Sequence, residues 1–195
     1  MTATQHRTIP QNTTTPGRQG AGTTDAVRVP ETTAAKATRY VLAGLRIALG
    51  WIFLWAFLDK LFGLGRGTAS AQAWINGGSP TKGFLGKAVT GPFEGVYHNI
   101  AGASLANWMF MLGLLAIGTA LILGIGLRVA AVAGGILLVL MWTAVLPPQS
   151  NPFLDDHLIY AGVLAVFALT AAGNTAGLGK MWAKLPIVQR LPWLK

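Results

Sequence analysis

The fold is decided by residues 105–146, which read LANWMFMLGLLAIGTALILGIGLRVAAVAGGILLVLMWTAVL. Arg128 is the only charged residue in this stretch. A transmembrane helix needs about 20 consecutive, mainly apolar residues. The stretch therefore predicts two membrane spans, at about 105–127 and 129–146, joined by a very tight turn at Arg128.

The composition of the whole chain also indicates a membrane protein. Its 195 residues are 52% hydrophobic and only 11% charged, and its mean hydropathy is +0.51. Soluble domains contain about 25% charged residues. The chain has no cysteine, which excludes disulfides, thiolate metal sites, iron–sulfur clusters and thiol redox chemistry within it.

Two shorter apolar segments flank the central pair. Residues 41–58 are interrupted only by Arg46, and residues 158–172 follow the cluster Asp155-Asp156-His157. They predict further helices at about 40–63 and 155–173. Small residues four apart recur in these helices and would let them pack closely in a membrane. We therefore expect an all-α membrane protein, built as a four-transmembrane-helix bundle over residues 39–175.

Three segments outside the predicted helices differ in composition. Residues 1–38 are rich in Thr, Pro and Gly and contain almost no large apolar side chains, which predicts a disordered cytoplasmic tail. The outer loop 64–104 mixes glycine, proline and aromatic residues and is too apolar for a plain linker, so we expect an ordered lid or re-entrant segment. Residues 176–195 carry apolar and basic side chains at helical spacing, which predicts an amphipathic cytoplasmic segment at the membrane surface, interrupted at Pro186 and Pro192.

The net charge of +9 is unevenly distributed. Basic residues precede the first helix, occupy the turn at Arg128 and follow the fourth helix. The acidic residues of the helical region collect on the other face, at Asp59, Glu94, Asp155 and Asp156. The positive-inside rule then predicts a multi-pass membrane protein with both termini in the cytoplasm. We expect the membrane to be a bacterial plasma membrane. The charge therefore describes topology, and no nucleic-acid partner is expected.

Ionisable residues within or beside the apolar segments are functional candidates, because a charge inside a membrane is costly. Arg46 either snorkels or pairs within the bundle, or contacts an anion or another ligand there. Asp59 and Lys60 close the first helix and are either interfacial anchors or site residues.

The cluster Asp155-Asp156-His157 opens the fourth predicted helix. Its carboxylates either cap the free N–H groups of the helix or, together with the histidine, exchange protons with a bound ligand. The residues alone do not tell which of Asp155 and Asp156 faces the helices. No recognised metal-ligand spacing includes them, so we expect no metal site.

Five stretches resemble the DoxX/DoxD family of small four-helix membrane proteins, which includes the small membrane subunit of thiosulfate:quinone oxidoreductase. They are RIALGWIFLWAFLDKLFGLG (46–65), WINGGSPTKGFLGKAVTGPF (74–93), WMFMLGLLAIGTALILGIGLRVAAVAGG (108–135), MWTAVLPPQSNPFLDDHLIYAGVLAVFAL (141–169) and AAGNTAGLGKMWAKLPIVQRLPWLK (171–195). The long Thr-rich tail and Asn174, where a basic residue is expected, depart from the family pattern.

The resemblance implies a quinone-linked membrane oxidoreductase subunit that acts on a small sulfur substrate at the outer face. The implied quinone pocket comprises Trp51, Trp55 and Phe57. The implied substrate-binding cations are Lys60, Lys82 and Arg66, with Arg46 as a further candidate. The implied catalytic residues are Asp156 and His157, which would exchange protons, and Asp59. Quinone would be a co-substrate, with no covalently bound cofactor.

Whether the chain is an enzyme stays open on this reading, because it has no thiol relay for electrons. Electrons would pass directly from substrate to quinone or come from a partner redox subunit, and a homo-oligomer is also open. The alternative is a non-catalytic membrane scaffold or assembly subunit for redox enzymes. A small-molecule transporter is a third alternative, disfavoured by the lack of clear internal repeats.

Overall fold

The computed structural model describes residues 31–149 and 151–195, and these residues form α-helices and short helical turns without any strand. The expected all-α class is thereby confirmed. Three of the helices are long and apolar enough to cross a membrane. The α-helices are α1 (Thr33–Phe62), α2 (Glu94–Ile100), α3 (Ser104–Leu123), α4 (Leu127–Ala144), α5 (Asp156–Leu169), α6 (Gly179–Trp182) and α7 (Pro186–Arg190).

The first helix begins earlier than its apolar segment predicts. Thr32 caps α1 by accepting a hydrogen bond from the N–H of Ala35 at 3.2 Å. The first turns of the helix are rich in alanine, the strongest helix former. Helical structure therefore covers residues 33–38, which composition assigns to the disordered tail. The rest of that predicted tail, residues 1–30, lies outside the described residues.

The fourth apolar helix is shorter than predicted. At 14 residues, α5 is about 21 Å long, against a hydrocarbon core of about 30 Å. The helix ends at Thr170, whose hydroxyl donates back to the carbonyl of Val166 at 2.7 Å. Ala171 then adopts a left-handed conformation, with φ 48°, and a 3-10 turn follows over Ala172–Asn174.

Close backbone contacts join the helices in pairs. A Cβ atom at Gly118 of α3 would lie 2.8 Å from the backbone N of Leu54, and one at Gly50 of α1 would lie 2.8 Å from the Cβ of Leu121. These contacts make α1 and α3 antiparallel neighbours, as small residues allow in membrane proteins. Likewise, a Cβ at Gly134 of α4 would lie 2.6 Å from the Cδ1 of Leu164 in α5.

One apolar core receives side chains from four helices. Its buried members include Leu49 and Phe53 from α1, Leu114, Ile117 and Leu121 from α3, Leu138 from α4, and Leu164 and Phe167 from α5. In α1, α3 and α4, only 28–33% of the most apolar 18-residue part of the helix is buried within the protein. The outward faces of these helices are therefore apolar as well. Such faces suit contact with lipid.

The two ends of the helices are built differently. We call one end the loop end, where segment 63–103 and residues 145–155 connect the helices. The other is the tail end, where α3 turns into α4 and where residues 170–195 lie. The loop 64–104 is ordered, with 3-10 turns, a π-helical turn at Phe84–Ala88 and helix α2. The tail is broken into α6 and α7, with proline in the first turn of α7.

Candidate functional site

At the loop end, α5 begins with a paired carboxylate and imidazole. Asp155 is the N-cap of α5, and its Oδ1 accepts hydrogen bonds from the N–H groups of His157 at 3.1 Å and Leu158 at 3.5 Å. Its Oδ2 lies 2.6 Å from Nδ1 of His157. One carboxylate thus caps the helix and orients the imidazole, and proton exchange with a bound ligand stays a prediction.

The second carboxylate of the cluster is placed differently. Asp156 Oδ1 is 3.6 Å from His157 Nδ1, and the Asp156 side chain is 66% exposed, against 13% for Asp155 and 18% for His157. Asp155 is therefore the acid directed toward the protein, and Asp156 is the one open to solvent. Proton exchange with water suits Asp156, and orientation of the imidazole suits Asp155.

The turn that leads into α5 is itself fixed by hydrogen bonds. Asn151 Oδ1 accepts from the N–H groups of Phe153 at 2.9 Å and Leu154 at 3.1 Å. The indole N–H of Trp142, at the end of α4, donates to the carbonyl of Phe153 at 3.0 Å. These bonds hold the start of α5 against the end of α4.

The same three side chains could also approach a cation. One ligand atom from each of Asp155, Asp156 and His157 lies within 4.8 Å of the others. Three ligands are too few to close a structural site without further donors. The expectation of no metal site stays a prediction.

Asp59, predicted to be catalytic, is buried and bonded to backbone. Its Oδ1 accepts from the N–H of Arg66 at 3.2 Å, and its Oδ2 accepts from the N–H of Gly67 at 3.0 Å. Gly63, at φ 67°, caps α1 and starts the turn that brings these N–H groups back to the carboxylate. Asp59 therefore folds the chain at the end of α1, and its catalytic role stays a prediction.

The three predicted substrate-binding cations of the loop end differ in exposure. Lys60 is half-buried, whereas Arg66 and Lys82 are exposed. Arg66 contacts Asp59 through its backbone N–H. The N–H of Lys82 donates to the hydroxyl of Ser79 at 3.3 Å. Exposed cations of this kind raise the local concentration of anions without forming a preorganised pocket.

A buried asparagine ties the loop to α3, which the sequence patterns did not indicate. Asn107 Oδ1 accepts from the hydroxyls of Ser79 at 3.0 Å and Thr81 at 2.7 Å, and from the N–H of Thr81 at 3.1 Å. Thr81 Oγ1 in turn accepts from the N–H of Gly102 at 3.1 Å. This network fixes the segment that carries Lys82. In the sequence, the only sign of this role is that Asn107 is a polar residue near the start of a strongly apolar segment.

Of the three aromatic residues predicted to form a quinone pocket, Trp51 and Trp55 lie on the outside of α1. Trp51 is 50% exposed and Trp55 is 37% exposed. Their ring centroids are 5.9 Å apart, with planes tilted by 42°. Phe57 is half-buried against the core. Trp51 and Trp55 form an aromatic ledge on a face that suits lipid, and their role in binding quinone stays a prediction.

Arg46 lies far from the loop-end residues, at the tail end. Its side chain is fully buried. Nη1 donates to the carbonyls of Leu121 and Ile122, the latter at 3.0 Å, and Nη2 donates to those of Thr175 at 3.4 Å and Ala176 at 2.8 Å. Leu121 and Ile122 belong to the last turn of α3, where carbonyls lack N–H donors from a following turn. The guanidinium therefore helps to cap this end of the helix.

Two features show how closely the chain surrounds Arg46. A Cβ at Gly124 would lie 2.9 Å from Nη1, and one at Gly177 would lie 3.0 Å from Nη2. Among the described residues, Nε has no hydrogen-bond partner. The arrangement agrees with pairing inside the protein, and a ligand contact of Arg46 stays a prediction.

No protein-family model matches the chain, and no curated protein or solved structure matches it. The site is therefore argued from its own geometry. That geometry brings Asp155, Asp156 and His157 together at the start of α5. It places Arg46 at the other end of the helices.

Proposed function

We propose that this chain is a quinone-linked membrane oxidoreductase subunit of the DoxX type, acting on a small anionic sulfur substrate at the loop end. The observation that carries the proposal is the Asp155–His157 pair, 2.6 Å apart, beside the exposed Asp156. The sequence resemblance given above supplies the substrate class. Quinone is the proposed co-substrate.

The cluster fits the proton chemistry of quinone reduction. A quinone takes up two electrons and two protons when it is reduced to the quinol. With Nδ1 held by Asp155, His157 would exchange a proton through its other ring nitrogen, Nε2. Asp156, whose exposed carboxylate lies 3.6 Å from Nδ1, would exchange protons between the pair and water. Asp155 is a positioning residue in this scheme.

The remaining loop-end residues would bind the reactants. Lys60, Arg66 and Lys82 would attract the anionic substrate, and the Trp51–Trp55 ledge would receive the quinone from the membrane. The chain has no cysteine to relay electrons. Electrons would therefore pass directly from substrate to quinone or arrive from a partner redox subunit.

The experiment is quinone reduction by the purified full chain. Thiosulfate-dependent reduction of a quinone analogue is measured for the wild type, for His157→Gln and for His98→Gln. His98 is the control, because it is a second loop-end histidine, on α2, whose Nε2 lies 3.2 Å from the carbonyl of Val89. We expect kcat to fall about 100-fold in His157→Gln and to stay unchanged in His98→Gln. A folded wild-type protein without turnover would exclude a self-sufficient enzyme.

The proposed topology has four spans, with the loop end outside a bacterial plasma membrane and both termini in the cytoplasm. The short α5 would span with the help of residues 170–174 or of local membrane thinning. Since the natural chain lacks cysteine, Lys82→Cys and Gln189→Cys each give a single label site. A membrane-impermeant maleimide added to intact cells should label the first and spare the second, and the reverse result would invert the topology.

A second candidate function is a non-catalytic scaffold for redox enzymes. It is favoured by Arg46, Asp59 and Asn107, three buried polar residues whose side chains form hydrogen bonds that fix the fold. Deleting residues 1–30 leaves the Thr32 cap of α1 intact. On the scaffold hypothesis, this deletion should abolish co-purification of a partner redox enzyme, and retention of the partner would count against a docking role of the tail.

A further inference from the structure

An apolar groove runs along the tail-end half of α3 and α4. Its volume is about 270 Å³. Every residue that lines it is apolar or glycine. The small residues Ala116, Ala120, Ala130 and Ala133 line the groove, and Trp182 and Leu194 of the tail close it.

A smaller cavity, whose lining includes two cationic residues, adjoins the groove. Its volume is about 110 Å³, and Arg128, Asn174 and Lys195 are among its lining residues. Gly126 and Trp182 line both cavities. The tail end therefore offers a basic recess beside an apolar groove.

Hydrogen bonds hold the end of the tail against the start of α4. The indole N–H of Trp182 donates to the carbonyl of Leu194 at 2.6 Å. Arg128 donates through Nη1 to the carbonyl of Pro192 at 3.0 Å and through its backbone N–H to that of Lys195 at 2.9 Å. A guanidinium has five N–H donors, so Arg128 retains donors for an anion while remaining exposed.

We propose that these two cavities bind one anionic phospholipid. Its acyl chain lies in the apolar groove, and its phosphate contacts Arg128 and Lys195. Charge complementarity selects this occupant, because residues 157–195 contain several Lys and Arg residues but no Asp or Glu. Basic pockets beside membrane helices recognise anionic headgroups, and the groove lies between helices whose outer faces suit lipid. The proposal is independent of the oxidoreductase function.

The test of the headgroup contact uses the full chain in a neutral, mild detergent. Native mass spectrometry measures binding of phosphatidylglycerol and of phosphatidylcholine with the same acyl chains. We expect the wild type to prefer phosphatidylglycerol at least fivefold, and Arg128→Gln to lose about fivefold in affinity for it. Lys195→Gln is a second headgroup variant in case Arg128→Gln fails to fold.

The matched control is Arg190→Gln, which removes the same charge from an exposed position on α7 outside both cavities. It should bind phosphatidylglycerol like the wild type. Equal losses in Arg128→Gln and Arg190→Gln would reduce the effect to general surface charge and overturn the proposal. Competition by glycerol phosphate as effective as that by the intact lipid would also overturn it, because the site would then recognise a free anion.

The groove is tested by Ala133→Leu, which fills it, against Ala165→Leu on an exposed part of α5. Ala133→Leu should weaken both lipids, and Ala165→Leu should weaken neither. Unchanged lipid binding in Ala133→Leu would overturn the proposal. So would conversion of a dimer to a monomer by Ala133→Leu, which would assign the groove to a second copy of the chain. Displacement of phosphatidylglycerol by a neutral quinone would assign the groove to quinone and overturn the proposal as well.

Discussion

Buried Arg46 at the tail end and the Asp155–His157 pair at the loop end show two different uses of ionisable groups. The guanidinium of Arg46 is buried among backbone carbonyls of α3 and of residues 175–176. The carboxylate and imidazole at the start of α5 are bonded to each other and remain partly open to solvent. A group bonded to several backbone atoms stabilises the fold, whereas a titratable pair with access to water is able to exchange protons. Arg46 therefore stabilises the tail end, and the proposed function uses the pair at the loop end.

The largest expected effect is at Arg46. Arg46→Met removes the donor to the carbonyls of Ile122 and Ala176, and the carbonyl of Leu121 keeps only the N–H of Gly124, at 3.2 Å. We expect the free energy of unfolding to fall by about 3–5 kcal/mol. Thermal or denaturant unfolding in detergent measures the change, with Arg190→Met on exposed α7 as the control. A stable Arg46→Met protein that has lost only activity would instead make Arg46 a ligand contact and break the comparison.

The loop end also contains a structural polar residue, Asn107. Asn107→Ala removes the acceptor of the Ser79 and Thr81 hydroxyls, so we expect a loss of about 2 kcal/mol in stability. Limited proteolysis should then cut segment 63–103 faster. The control is Asn99→Ala on the exposed side of α2. Equal protease sensitivity in both variants would show that Asn107 does not anchor the loop.

Asp155→Asn separates the cap from the proton function. Asparagine caps helices as well as aspartate does, so stability should change little. The negative charge beside His157 is lost, and we expect quinone reduction to slow about tenfold, or about 1.4 kcal/mol. A drop in the melting temperature together with unchanged kcat would make Asp155 a cap and nothing more.

The smallest expected effect is at Asp156. Because its side chain is exposed, water can replace it in delivering protons. Asp156→Asn should change kcat by about twofold, and Glu94→Gln, at another exposed position of the loop end, is the control. A larger loss than in Asp155→Asn would exchange the roles of the two carboxylates.

Much of the helical layout could be predicted from the sequence, because apolar runs of about 20 residues have few alternatives. The early start of α1 could not be predicted from hydropathy, since it depends on a Thr32 cap and on alanines outside the apolar run. The end of α5 at Leu169 is followed by Ala171 in a left-handed conformation, which hydropathy does not register.

The site was predictable only as a cluster. The sequence did not tell which of Asp155 and Asp156 faces the helices, because that depends on which of the two caps α5. No rule of sequence spacing could have paired Arg46 with carbonyls 75 and 130 residues away. For the same reason, the two backbone N–H groups that bind Asp59 could not be foreseen, because they depend on the turn at Gly63.

The partners of Arg46 also impose an order on biosynthesis. In a chain made from its amino terminus, α1 is synthesised long before Leu121, and longer still before Thr175. Until then the guanidinium has none of these acceptors, and an unpaired arginine is costly in a helix that enters a membrane. Translation must therefore pass residue 176 before the first helix reaches its final environment. A nascent chain stopped earlier would expose an unsatisfied arginine, which is a signal that membrane quality control could read.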